Sequence, residues 1–186
     1  MLGHTLFEGS GVTEMKERLL DSQHVYRGRA IHVRVDSVAK PNDIKTTREV
    51  VEHVDCVVIL PVDSQGNILL VRQFRHAVNQ EMLELPAGSI DPGETPEEAA
   101  SRELREETGY KPGRLEKLGG FYAAPGYCTE YLHFFRATQL EKSPLKAEDT
   151  DEIELVPISP ADVPGLVASG QICDAKTIAG FRIALL

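Results

Sequence analysis

A mixed α/β domain, richer in strands than in helices, is the fold class this sequence predicts. Strand-like runs follow one another instead of alternating one for one with helices, which excludes an all-parallel βαβ array. One run, Cys56-Val-Val-Ile-Leu60, is continuously apolar, as a strand buried on both faces is. Between later strands stands an unmistakable helix start, Thr95-Pro96-Glu97-Glu98. The 186 residues, 41% of them hydrophobic, suffice for one domain, or for one domain with a small appendage.

Taken in order, residues 1–22 are weakly patterned and read as an N-terminal arm, with a short helix over 15–20 as an alternative. Strands are predicted at 24–27, 31–39, 46–53, 56–62 and 68–75. A bend at Lys40-Pro41-Asn42-Asp43 and a turn at Asp63-Ser64-Gln65-Gly66-Asn67 separate them. Within the second strand Ile31, Val33 and Val35 alternate with His32, Arg34 and Asp36, so one face is expected to be covered and the other wet. Residues 83–88 read as a strand ending in a loop. Thr95 then caps a helix, Pro96 fits its first position, Glu98 closes a capping box, and Gly109 stops it. Strands follow at 115–122, 131–138 and 153–158. Helices follow at 160–169 and 175–185, the second capped by Asp174.

The charge balance narrows the function. There are 29 acids and 20 Lys+Arg, a net charge of −9, with no basic run; this excludes nonspecific nucleic-acid binding as the expected role. No stretch of about 18 apolar residues is present, so no membrane span is expected. The N-terminus lacks the pattern of a secretory signal. Cys56, Cys128 and Cys173 are too widely spaced for a zinc pattern or a disulfide framework and suit a reducing, cytoplasmic setting. Most of the negative excess lies in two short segments, 94–107 and 141–154, each with six acids and two bases. Such segments are either solvated surfaces or places that collect divalent cations.

The first of these segments contains Arg102-Glu103-Leu104-Arg105-Glu106-Glu107. At about 100° per residue, Glu103 and Glu107 lie about 40° apart and Glu106 about 60° to the other side of Glu103. Three like charges on one face destabilise an isolated helix, and a hard cation such as Mg²⁺ offsets that through its preference for oxygen ligands. Upstream, Gly88-Ser-Ile-Asp-Pro-Gly-Glu94 bends the chain and sets a carboxylate just before the helix. Gly88, Glu94, Arg102, Glu103, Leu104, Glu106, Glu107 and Gly109 together resemble the box GX5EX7REUXEEXGU of the Nudix hydrolases, with Tyr110 a departure at the final aliphatic position.

Further segments resemble the ADP-ribose pyrophosphatase subfamily. These are Arg48-Glu-Val-Val-Glu-His53, Val71-Arg-Gln-Phe-Arg75, Leu83-Glu-Leu-Pro-Ala-Gly88, Pro125 sixteen residues after Gly109, and Gly170-Gln-Ile-Cys-Asp-Ala-Lys-Thr177. The resemblance covers about residues 23–186. It implies an α/β/α sandwich built on a mixed sheet, with an N-terminal antiparallel β-region over 23–53 that pairs two copies as a homodimer, and a hydrolase domain over 54–186. It implies Mg²⁺, with Mn²⁺ as an alternative, and a nucleoside diphosphate sugar as substrate. Under it Glu103, Glu107 and the backbone carbonyl of Ala87 hold metal. Glu106 ligates directly or through water, Arg102 orients the carboxylates, and Glu94 braces the loop.

Arg75 is then expected to contact substrate, together with Pro125, Gly126 and Glu130. Arg48 is lent to the partner's pocket. Tyr122 and Tyr127 face the adenine or ribose, or pack at the rim. The second acidic segment takes the part of a closing loop whose acid activates water and helps hold metal. Asp149, Asp151 and Glu152 are the candidates, with Glu148 close enough to serve and Asp151 the candidate ligand. The expected reaction is hydrolysis of ADP-ribose to AMP and ribose 5-phosphate. A pyrophosphatase for another nucleotide sugar or dinucleotide, and a sensing module that does not cleave, are the alternatives.

Overall fold

The computed structural model describes residues 15–146 and 153–185, which divide into two compact units. The described part of the first is 15–53 with 126–128; the second is 54–125 with the described residues from 129 onward.

The first unit is an antiparallel sheet of β1 (Arg18–Arg27), β2 (His32–Ala39) and β3 (Lys45–Glu52), in that spatial order. The turn from β2 to β3 closes with Asp43 left-handed (φ 60°) and the Lys40 N–H on the Ile44 carbonyl (2.9 Å). Residues 18–22, expected as part of an arm or a short helix, are strand. Two register shifts in β1, at Leu19/Asp21 and His24/Tyr26, break the period of two that would have revealed it. β1 is exposed along its whole length, with Leu19, Leu20, Val25 and Tyr26 at its surface. In β2 the simple alternation fails at Asp36. Expected on the wet face, it is buried, because Ser22 Oγ donates to it (2.7 Å) and Arg34 pairs with it.

In the second unit β4 (Cys56–Pro61) is buried at every residue and lies parallel to β10 (Tyr131–Thr138). β9 (Arg114–Tyr122) pairs antiparallel with β10, and β7 (Ala87–Ser89) pairs antiparallel with β4; the order is β7-β4-β10-β9. Val57 and Ile59 pack on one side against Ala99, Ala100 and Leu104 of α1 (Pro96–Thr108). Val58 and Leu60 face the other way, onto Ile68 and Leu70 of β5 (Ile68–Arg75) and Phe181 of α3 (Ala175–Ile183). The continuous apolar run is therefore explained by two cores, one per face of the sheet. β5 stands between β12 (Glu154–Ile158) and β6 (Gln80–Glu84) in a second antiparallel sheet. The two-residue strands β8 (Tyr110–Lys111) and β11 (Glu141–Lys142) pair with each other. A 3-10 turn over Pro160–Asp162 precedes α2 (Val163–Ala168).

Residues 83–88 do not form the single strand expected. The chain leaves one sheet after Glu84 and enters the other at Ala87. Pro86 has no N–H for a ladder, and the Leu85 N–H is taken by Thr177 Oγ1 of α3 at 2.9 Å. The helix signals hold. Thr95 Oγ1 accepts the Glu98 N–H (3.2 Å), the Glu98 carboxylate accepts the Thr95 N–H (2.8 Å), and Gly109 ends α1 at φ 78°. Asp174 caps α3 by accepting the Thr177 N–H at 3.0 Å.

Candidate active site

One face of α1 and the β6–β7 switch assemble the site. Leu104 anchors the helix in the core, with Ala99 and Ala100 beside it. That leaves Glu103, Glu106 and Glu107 on the flank. Arg102 ties them to the preceding loop. Its Nε and Nη2 fork onto Glu94 (both 2.8 Å), Nη2 also donates to the Ser89 carbonyl (2.9 Å), and Nη1 donates to Glu103 (2.7 Å) and Glu106 (3.2 Å). All five guanidinium N–H groups are thereby spent. Arg102 is a clamp on carboxylates and has no donor left for a substrate. Glu94 also accepts the Asp91 N–H (3.1 Å), which braces the turn, and Arg102 holds its carboxyl below the usual range.

Glu107 accepts the Ala87 N–H at 3.1 Å. Burial, together with the neighbouring Glu103, pushes its carboxyl up to about 8. Glu103 is raised too, chiefly by burial, with Arg102 opposing. Two partly buried carboxylates that resist ionisation beside each other are a hard-oxygen donor set short of positive charge. A divalent cation fits that set.

Gly88 makes the approach possible, because a Cβ there would overlap the Glu103 carboxyl. Gly88→Ala is expected to displace Glu103 and lower kcat/KM by about 10²-fold, the scale of a misplacement near 1 Å. Steady-state kinetics, with circular dichroism to check the fold, tests this; an unchanged rate would show that Glu103 can move aside freely.

Arg75, at the end of β5, forks onto Glu84 through Nε (2.8 Å) and Nη2 (2.6 Å). Glu84 is 2% exposed and is also bonded by Lys176, which in turn contacts Asp174 at 3.0 Å. Burial raises the Glu84 carboxyl, but Arg75 and Lys176 outweigh it and hold the group below its ordinary value. Arg75 and Lys176 both favour the ionised form of Glu107, so this cation pair lies within electrostatic reach of the acid face. Sequence reasoning assigned no role to Glu84 or Lys176, and read Asp174 only as the cap of α3. The available signal was a lone acid between apolar residues in Met82-Leu83-Glu84-Leu85.

Thus Ala87, Glu103, Glu106, Glu107 and Arg102 come together, with Arg75 nearby. Pro125 is exposed, in a loop closed by the Ala123 N–H on the Glu130 carbonyl (3.0 Å). Glu130 adjoins Cys56, whose thiol is pushed up to about 12, by burial first. Arg48 and Gly126 belong to the other unit, where Arg48 pairs with Glu17. Tyr122 and Tyr127 are exposed. Asp149, Asp151 and Glu152, with Glu148, lie outside the described residues.

The NUDIX domain matches residues 52–180. The chain belongs to the Nudix hydrolase family. This Nudix hydrolase is 38% identical over 165 residues to the ADP-ribose pyrophosphatase of Bacillus subtilis (strain 168), covering 88% of this chain and 89% of that one. It is 31% identical over 189 residues to the GDP-mannose pyrophosphatase of Pectobacterium atrosepticum, covering 95% and 96%. A solved structure described as an ADP compounds hydrolase superposes with a TM-score of 0.84 at 24% identity, over 91% of this chain and 92% of that one. It shares the Nudix fold, an α/β/α sandwich on a mixed sheet.

Proposed function

We propose that this Nudix hydrolase cleaves the diphosphate of ADP-ribose, adding water across the P–O–P linkage to give AMP and ribose 5-phosphate. The observation that carries the proposal is the acid face of Glu103 and Glu107 with a half-exposed guanidinium, Arg75, within electrostatic reach of Glu107. The choice of ADP-ribose is supported by the 38%-identical relative named for that activity.

Glu103, Glu107 and the Ala87 carbonyl would hold Mg²⁺, or Mn²⁺ in its place. A bound cation of this kind neutralises diphosphate charge and acidifies water. Arg102 keeps Glu103 and Glu106 aimed, while Glu94 fixes the loop. Arg75 pairs with a phosphate oxygen, and Pro125 and Glu130 are further substrate contacts in the same unit. An acid among Asp149, Asp151 and Glu152 takes the proton of the attacking water, and Asp151 also serves the metal.

Residues 54–186 are read as the hydrolase domain and 23–53 as a dimerisation region, which β1 extends back to Arg18. An exposed ten-residue strand carrying Leu19, Leu20, Val25 and Tyr26 supports a homodimer, since long exposed apolar strands seek partners. In that dimer Arg48 reaches the partner's pocket. No helix among the described residues is long and apolar enough to cross a membrane, and the cysteine spacing suits the cytoplasm.

The test is product identification after incubation with Mg²⁺ and a panel that includes ADP-ribose, GDP-mannose and dinucleotides. AMP and ribose 5-phosphate from ADP-ribose, formed faster than products of any other compound, is the expected result. Preference for GDP-mannose would move the substrate to another nucleotide sugar, in line with the 31%-identical relative. Tight ADP-ribose binding without turnover of any compound would make the chain a sensing module.

A further inference from the structure

Four charged side chains form an alternating chain through the second unit: Asp174, Lys176, Glu84 and Arg75. Asp174 is fixed as the cap of α3, and Glu84 is fixed at the last position of β6. At the other end Arg75 is 40% exposed, and its Nη1 has no hydrogen-bond partner among the described residues. The interior member is the unusual one. An apolar residue at position 84 would serve packing as well as a carboxylate or better. What an apolar residue cannot do is grip a guanidinium at two points and so fix both its plane and its direction.

Geometry supports the grip. Across the β5–β6 ladder Glu84 stands opposite Val71, four residues before Arg75, with Gln73 between them on the same face. The Arg75 side chain must therefore lie back along the strand to reach Glu84. Left to itself, so long a side chain would sample many rotamers. Held by Glu84, it meets an anion already oriented, which removes part of the ordering cost of binding. The switch residues then carry the same order to the acid face. Leu85 is pinned to Thr177, Ala87 holds Glu107, and Gly88 admits Glu103.

We propose that Glu84 is a positioning residue: its buried carboxylate presets Arg75, with one guanidinium edge free, to receive a phosphate oxygen of the substrate. The proposal rests on the reading of Arg75 as a substrate contact, and the experiment separates the two.

Steady-state kinetics with ADP-ribose and Mg²⁺ are compared for Arg75→Ala, Arg75→Lys, Glu84→Gln and the Glu84→Gln/Arg75→Ala double variant. Loss of a charge-assisted fork predicts KM raised about 10- to 100-fold in each single variant, with kcat changed far less. The double variant should be no worse than Arg75→Ala alone, because Glu84 acts only through Arg75. Unchanged KM in Arg75→Ala would overturn the reading of Arg75 itself. Raised KM in Arg75→Ala with wild-type KM in Glu84→Gln would overturn the positioning role and leave Arg75 as a contact. Should Glu84→Gln fail to fold, Arg75→Lys decides: it keeps the charge and loses the fork, and a wild-type KM would overturn the proposal.

Discussion

Glu107→Gln is expected to lower kcat by about a thousandfold while leaving the fold intact. A metal-held site contributes several kcal/mol of charge stabilisation, and each ~1.4 kcal/mol is a factor of ten in rate. The substitution has a second, opposite signature. Burial and Glu103 raise the Glu107 carboxyl to about 8, so the folded, metal-free protein resists its ionisation. Gln fills the same space without that cost and can still accept the Ala87 N–H. Metal-free Glu107→Gln should therefore melt at or above the wild-type temperature at pH 8 and higher, the range set by that raised carboxyl. Activity falling while metal-free stability holds or rises separates loss of a functional carboxylate from damage to the core. Calorimetric titration with Mg²⁺ completes the experiment: binding should weaken sharply in the variant, and wild-type affinity would remove Glu107 from the ligand set.

Chelation is expected to abolish turnover, and restored Mg²⁺ to recover it, with a definite pH dependence. The sign follows from a folded value of about 8 against an ordinary 4.5. An acid raised on folding contributes stability that is fully present below 4.5 and is lost as pH rises through about 8. In that window a cation must displace the proton on Glu107, so binding releases protons and apparent affinity climbs with pH until about 8, then levels. Melting temperatures with EDTA should fall across the window. Saturating Mg²⁺ should reverse the fall, since a ligand at about 100 times its Kd adds about 2.7 kcal/mol. Parallel curves with EDTA and with Mg²⁺ would show that no cation engages this carboxylate. With a net charge of −9, substrate affinity is likewise expected to depend on metal, because without a cation the acid face would repel a diphosphate.

Legibility in the sequence followed the range of the interactions. The acid helix was readable because Thr95, Pro96, Glu98 and Gly109 act within one turn of their own backbone. The spacing that places Glu103 and Glu107 on one face is likewise local. The two-sided burial of β4 was readable from composition, although its partners were not.

Glu84 was missed because its partners, Arg75 and Lys176, lie 9 and 92 residues away. In a strand, a single acid ordinarily marks the wet face. Asp36 misled for the same reason, its burial depending on Ser22 and Arg34. The break at Leu85-Pro86 was visible as a proline. The sheet change was not, since it needs Thr177 to satisfy the N–H released by leaving the ladder. The first half of β1, residues 18–22, escaped notice because a register shift there erases alternation and its whole surface is exposed.

The parallel pairing of β4 with β10 also bears on how the chain acquires its structure during synthesis. Cys56 lies opposite Leu132, so the most apolar strand leaves the ribosome long before its parallel neighbour exists. At about 5–20 residues per second the wait is roughly 4–15 s. β7 appears sooner and covers one edge, leaving the other edge open to chance pairing with other nascent chains. The capped helix α1 emerges within that interval and can lay Ala99, Ala100 and Leu104 over Val57 and Ile59. The acid-bearing helix would thus shield the central strand before it has any phosphate chemistry to perform, and weakening its Thr95–Glu98 cap should show first as aggregation during expression.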